Sequence, residues 1–337
     1  MKCELCPRRC GIDRSAGERG FCGAPDEVFV ARSALHFWEE PPISGERGSG
    51  TIFFTYCPLR CSYCQNAALA LGAHGRAVTC EDLVAMMLDL QQQGALNINC
   101  VTPTHYAPQI REALREAREV GLALPCVWNT SGYETREAIE LNRGLVDVYL
   151  TDFKYATPER ARAYSSASDY VEVATAALDA MVEACGEATY DEVDAMPRMV
   201  RGVIVRHLLL PGGLEDSKAV VKLIHERYGS SVRLSLMNQY TPLLASLAQE
   251  GDVRAGKVLA QHPELAQRTC DEDYERLLDY ADALGIEDYF WQEGETDSES
   301  FIPSFDFTGV ITKTSSETLS EVGSPDGGSV GSPVRIS

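Results

Sequence analysis

No apolar run in this chain approaches the ~20 residues that cross a bilayer as a helix. Its first residues, MKCELCPRRC, contain no apolar stretch of the kind a secretory leader needs. The expectation is a protein without membrane spans, in the cytoplasm. Basic residues are also scarce, with 30 Lys and Arg against 50 Asp and Glu, for a formal net charge of −20. Residues 293–337 hold eight acids against Lys313 and Arg335, a net of −6, which leaves −14 for the rest. Such a balance provides no broad basic face for a phosphate backbone, so nucleic acid is not an expected partner. No pair of side chains reads as an acid–base or nucleophilic dyad. What remains is a 337-residue chain with 45% hydrophobic and 24% charged residues, ordinary values for a soluble globular protein. The length suits one large α/β domain with appendages, or two domains.

Cysteine is abundant, with twelve in all. In a reducing compartment clustered cysteines are more often metal ligands or redox groups than disulfides. Seven fall in two groups: Cys3, Cys6, Cys10 and Cys22, then Cys57, Cys61 and Cys64. Cys80, Cys100, Cys126, Cys185 and Cys270 are scattered among apolar residues and read as small buried hydrophobes.

Residues 1–30 are loop-like and make a short Cys-rich segment. From Thr51–Tyr56 onward, strand-like and helix-like stretches alternate. Strands are expected at Thr51–Tyr56, Asn97–Thr102, Leu124–Thr130, Val146–Phe153, Val200–Leu210 and Val232–Tyr240, with helices between them. Thr79 and Asp82 form a capping-box pattern ahead of Leu83, Met86, Met87 and Leu90. Six strands separated by helices predict an α/β fold with a mostly parallel sheet. Residues 186–198 read as an acidic loop or insertion. The Ser/Gly/Thr/Pro-rich stretch 295–337 reads as a disordered acidic tail.

The triad Cys57-x3-Cys61-x2-Cys64 follows the first of these strands directly, at the strand edge where parallel α/β folds bind ligands. Structural zinc takes four ligands, so three thiolates leave it an open place. A cubane iron–sulfur cluster can instead use three thiolates and keep one iron for a small molecule. Both a zinc-stabilised loop and a cluster are compatible with the spacing itself.

The stretch CPLRCSYCQN, with its aromatic before the last cysteine, resembles the cluster loop of the radical S-adenosylmethionine (SAM) superfamily. The resemblance runs over roughly residues 1–292 and is closest to pyruvate formate-lyase-activating-enzyme-like proteins. It is carried by CELCPRRCGIDR, EEPPISG (39–45), GSGTIFF (48–54), NINCVTPTH (97–105), NTSGY (129–133), DFKY (152–155), VRHLLLPG (205–212) and LMNQY (236–240). It implies a partial (β/α)6 barrel over 45–292 and a [4Fe-4S] cluster on Cys57, Cys61 and Cys64, whose open iron SAM would chelate. It further implies SAM-lining roles for Tyr63, Asn129, Asp152, Lys154 and Arg206. The implied activity is reductive cleavage of SAM to a 5′-deoxyadenosyl radical that abstracts hydrogen, without a catalytic side chain. A glycine of a partner glycyl radical enzyme is one implied hydrogen donor, with a small molecule or peptide the other reading. A one-electron donor of the flavodoxin or ferredoxin type is an implied partner. The Gly-Gly-Glu-Pro motif of many such enzymes is absent, and Val101-Thr102-Pro103-Thr104-His105 stands in its place.

Cys3-x2-Cys6-x3-Cys10-x11-Cys22 supplies four further thiols. They suit zinc or a second iron–sulfur cluster, either of which would help a segment with so little core to fold. Binding by only some of them, or free thiols, is the alternative. Arg8, Arg9, Arg14 and Arg19 read as a solvated basic surface or as a guide for an acidic electron donor. A non-catalytic metal-binding interaction protein built on the same barrel is the reading from a different class.

Overall fold

In the computed structural model the described residues are 2–292 and 303–312. Ten strands form the sheet: β1 Val28–His36, β2 Ser49–Phe54, β3 Arg76–Val78, β4 Ile98–Val101, β5 Cys126–Thr130, β6 Val148–Asp152, β7 Thr189–Val193, β8 Met196–Leu208, β9 Arg233–Met237 and β10 Tyr289–Phe290. The six strands expected from sequence are β2, β4, β5, β6, β8 and β9, and they pair in that order, all parallel. The order β10-β9-β8-β6-β5-β4-β2-β1-β3 is open rather than closed, which is the partial barrel expected. Helices cover its outer face: α3 Cys80–Gln92, α4 Ala107–Glu119, α5 Arg136–Asn142, α6 Pro158–Ser165, α7 Tyr170–Cys185, α8 Leu214–Tyr228 and α11 Asp271–Ala283. Short α1 Pro41–Ser44 and α2 Ala67–Ala70, with α9 Leu243–Gln249 and α10 Val253–Gln261, complete the set.

Helix starts are set where the sequence places them. The Thr79 hydroxyl accepts from the Asp82 backbone and the Asp82 carboxylate from that of Thr79, closing the box ahead of α3. Pro158 opens α6, where its missing N–H is not needed. Leu83, Met86, Met87 and Leu90 are fully buried beneath α3.

Side-chain alternation divides the parallel strands into two faces. The outward set, including Ile98, Cys100, Cys126, Trp128, Tyr149, Val203 and Val205, joins the large core under the helices. The inward set has two levels. Val127, Val148, Leu150 and Ile204, with Ile43 from α1 and Met199, form an apolar floor. Nearer the C-terminal strand ends the same face turns polar, with Asn129, Asp152, Arg206 and Ser235.

Four expectations are corrected. The loop-like start ends in a nine-residue strand, β1, antiparallel to β2. Residues 186–198 are a β-hairpin of β7 and β8, turned by Asp194 and Ala195 at φ 54° and 63°. Acidic exposed residues hid it, because β7 packs on neither core. Cys270 is exposed and Cys80 half-buried, whereas Cys100, Cys126 and Cys185 are buried as expected. Within the stretch read as a disordered tail, residues 303–312 are packed against β1, with Val310 buried. The rest of that tail lies outside the described residues.

Candidate functional site

The loop that leaves β2 is held in an uncommon conformation. Tyr56 and Arg60 have φ of 74° and 54°, just before Cys57 and Cys61, and Thr102 at the end of β4 has φ of 59°. A β-branched residue rarely adopts positive φ, and such strain concentrates at functional sites. The Tyr56 backbone N–H donates to Leu69 of α2 and that of Thr102 to Asn129, which fixes both bends.

Cys57, Cys61 and Cys64 lie near enough to one another and to Lys154 to feel each other's charge. Burial pushes the Cys57 thiol up to about 11 and the Cys64 thiol up to about 12, while Lys154 pulls each partly back. The Leu59 N–H donates to Cys57 Sγ at 3.4 Å and the Ser165 hydroxyl to Cys61 Sγ at 3.1 Å. Three thiols supplied with polar hydrogens and a nearby ammonium form a donor set that fits an anionic thiolate cluster. Among the described residues, no group of three or more His, Cys, Asp or Glu side chains is gathered tightly enough to hold a metal ion. A cubane spreads its thiolates around itself, so the loop still fits a cluster better than a single zinc.

Beside the loop lies a polar ring with Arg206 at its centre. Its Nε donates to Asp152 Oδ1 at 3.0 Å, Nη1 to Glu39 Oε2 at 3.1 Å and Nη2 to Asn129 Oδ1 at 2.6 Å. Lys154 Nζ donates to Asp152 Oδ2 at 2.6 Å. Asn99 and Asn129 both donate to Glu39 Oε1. Burial opposes the charge on Asp152, but Lys154 and Arg206 outweigh it and hold its carboxyl below the usual range. Burial likewise works against Arg206, yet the carboxylates of Asp152, Glu40 and Glu39 raise its pKa. For Glu39 and Glu40 burial wins, and both carboxyls are pushed upward.

Several acceptors in and near this mouth are buried without a partner: Glu40 Oε2, Asn66 Oδ1, Asn99 Oδ1 and Asn238 Oδ1. Buried acceptors left unpaired are costly. They suit a ligand rich in donors, such as one carrying an ammonium and ribose hydroxyls, so the residues present fit SAM.

The structure thus brings Asn129, Asp152, Lys154 and Arg206 together beside the three cysteines. Tyr63 is buried edge-on among Tyr155, Tyr164 and Tyr240, and accepts from the Tyr155 hydroxyl at 3.1 Å. His105 and His207 are also buried in supporting roles. His105 Nε2 pairs with the Thr55 carbonyl, and His207 bridges Phe153 and Ser217. Glu39, Glu40, Asn99 and Ser235 were given no role from sequence. Two adjacent acids ahead of Pro41-Pro42 are the signal that could have found the first two.

The loops are braced by Glu134, whose Oε1 accepts from Thr104, Thr130 and the Trp128 indole at 2.6, 2.7 and 3.2 Å. This ties the segment replacing Gly-Gly-Glu-Pro to NTSGY. Gly132 is required there, since a Cβ would lie 2.3 Å from the Asp152 carbonyl oxygen.

The N-terminal segment is built onto this site. Arg8 donates to the Pro58 carbonyl at 3.0 Å and to that of Ser165 at 2.8 Å, and Arg60 to that of Phe21 at 2.8 Å. Arg14 reaches the His105 carbonyl at 2.6 Å and Cys22 Sγ at 3.6 Å. Arg8 and Arg14 are therefore tethers, not the solvated surface expected. Cys3, Cys6, Cys10 and Cys22 line one small pocket.

The open parallel barrel thus carries a three-cysteine loop and a charged ring at its C-terminal strand ends. Residues 51–209 match the Radical SAM superfamily model. An uncharacterized protein of Methanocaldococcus jannaschii is 26% identical over 296 residues, which is 85% of this chain and 75% of that one. Among solved structures, Streptococcus suis SuiB bound to precursor peptide SuiA shares 13% identity, covering 72% of this chain and 48% of that one at a TM-score of 0.47. The chain thus spans about half the length of SuiB. A radical SAM methyltransferase from Sphaerobacter thermophilus shares 13%, covering 75% and 69%, also at 0.47. No helix among the described residues is long and apolar enough to cross a membrane.

Proposed function

We propose that this chain is a radical SAM enzyme that takes a hydrogen atom from a substrate. The observation that carries the reading is the meeting of the Cys57, Cys61 and Cys64 thiols with the Asp152–Lys154–Arg206 ring at one end of the barrel. Cys57, Cys61 and Cys64 would hold a [4Fe-4S] cluster, and Asn129, Asp152, Lys154 and Arg206 would receive SAM. When bound, the pair supplies reductive cleavage of the sulfonium and a 5′-deoxyadenosyl radical.

The chain's own residues bind, orient and shield. Arg206 is fully engaged by Asp152, Glu39 and Asn129, so it acts mainly as a fixed charge that orients the ring. The Lys154 Nζ makes one hydrogen bond among the described residues, to Asp152, and keeps ammonium hydrogens for a carboxylate. The Asp152 and Glu39 carboxylates would balance an ammonium or sulfonium. The apolar floor beneath keeps water from the barrel interior.

The hydrogen donor we favour is a glycine of a partner enzyme, because the sequence resemblance to activating enzymes spans most of the chain. A one-electron donor protein completes the system. Anaerobically reconstituted protein with a reductant and SAM should release 5′-deoxyadenosine, and failure to do so overturns the reading. A glycyl doublet in electron paramagnetic resonance on mixing with a candidate partner would support the glycine donor, and transfer to a small molecule would displace it.

A further inference from the structure

β3 is only three residues long and pairs β1 at Val28, Phe29 and Val30 alone. From Ala31 onward, the outer edge of β1 is covered by residues 303–312. The Phe307 N–H donates to the Ala31 carbonyl at 3.2 Å, and the Ser33 N–H to the Thr308 carbonyl at 2.9 Å. Arg32 Nη1 donates to the Ser304 carbonyl and to Asp306 at 3.0 and 3.2 Å. Phe305 enters a slot of Ala31, Phe53, Leu69 and Val101, with its ring 5.6 Å from that of Phe53. The Arg76 guanidinium lies 4.4 Å over the ring of Phe307. The slot adjoins the site, because Val101 is the register partner of Asn129.

These contacts combine main-chain bonds to the strand edge with a side-chain slot, made by a segment that bends at Asp306 and turns over Phe307–Val310, with Phe307 at φ 65°. Arg32 pairs with the acid between the aromatics, and Arg76 covers the second ring. The edge also continues past the strap into exposed Phe37. We propose that the outer edge of β1 from Ala31 onward, with the Phe53–Val101 slot, is a binding groove for a polypeptide segment carrying an aromatic–acid–aromatic sequence at a turn, and that residues 303–312 are its occupant in cis. The site is thereby matched to a polypeptide substrate or partner, which rests on the radical SAM reading. Held on the same chain, the strap has a high effective concentration and keeps weak competitors out.

The test uses the full chain with Gly309→Val. At Gly309, φ is 65° and any Cβ would sit 1.9 Å from the Ser33 carbonyl oxygen, so the strap must lift while the slot is unaltered. Amide exchange at Ser33 should accelerate at least tenfold. A labelled peptide PSFDFTGVIT should then bind the variant at least tenfold tighter than the wild type by fluorescence anisotropy. A peptide with Phe305→Ala should not bind. The full chain with Phe305→Ala serves as a second release variant, expected to behave likewise. Unchanged Ser33 exchange in both variants, or released strap with no peptide binding, overturns the proposal. Neither measurement involves SAM cleavage, so its failure is separate from failure of the enzymatic reading.

Discussion

Arg206 shows how one side chain organises a site. A lysine could not make its three divergent bonds to Asp152, Glu39 and Asn129, because only the guanidinium fork presents donors in those directions. Replacing it by methionine leaves Glu39 buried without its counter-charge and Asp152 with Lys154 alone. Arg206→Met should therefore cost about 3–5 kcal/mol, read by urea denaturation, and a loss well under that would show the ring is not electrostatically closed. Glu134 gives the pH prediction. Burial raises its carboxyl pKa, and Thr104, Thr130 and Trp128 only partly offset this. A carboxyl raised on folding carries no penalty when both states are protonated. The penalty grows as pH rises from the ordinary carboxylate value through the raised one, and is full above it. Glu134→Gln keeps an acceptor oxygen and removes that penalty. The stability of the variant relative to the wild type should thus increase across that window and level off above it, in denaturation at a series of pH values. A difference independent of pH would overturn the assignment.

At the scale of elements, the two cysteine groups differ in what holds them. The barrel loop is clamped by a strand, strained backbone at Tyr56 and Arg60, and Arg8 bonded to Pro58. The first segment hangs on arginine tethers. Changing Cys3, Cys6, Cys10 and Cys22 together to Ser should leave the barrel iron in place, whereas Cys57, Cys61 and Cys64 to Ser should remove it. Iron and zinc content of anaerobically prepared protein reads both. Retention of all metal in the second variant would reassign the cluster. Much of this was legible, since DFKY, NTSGY and VRHLLLPG each follow an apolar strand whose period marks which side chain faces inward. Glu39 and Glu40 were not. They sit on no periodic element, and only the return of α1 across the barrel bottom brings them to Arg206.

For the whole molecule, the barrel stands because its interior is filled from below. Ile43 is fully buried against Val127, Val148, Leu150 and Ile204, capping a cavity that six strands alone would leave open. Ile43→Ala should cost about 2–5 kcal/mol by chemical denaturation, and a near-neutral result would mean the floor collapses freely. The sequence by itself determined the alternation of strands and helices, the parallel α/β class, and the three thiols at a strand end, because these depend on local periodicity and spacing. Only the tertiary structure decided that Arg8 and Arg14 are tethers, that Tyr63 packs among Tyr155, Tyr164 and Tyr240, and that residues 303–312 cover the edge of β1. Each of those depends on contacts between distant residues, which no local pattern encodes.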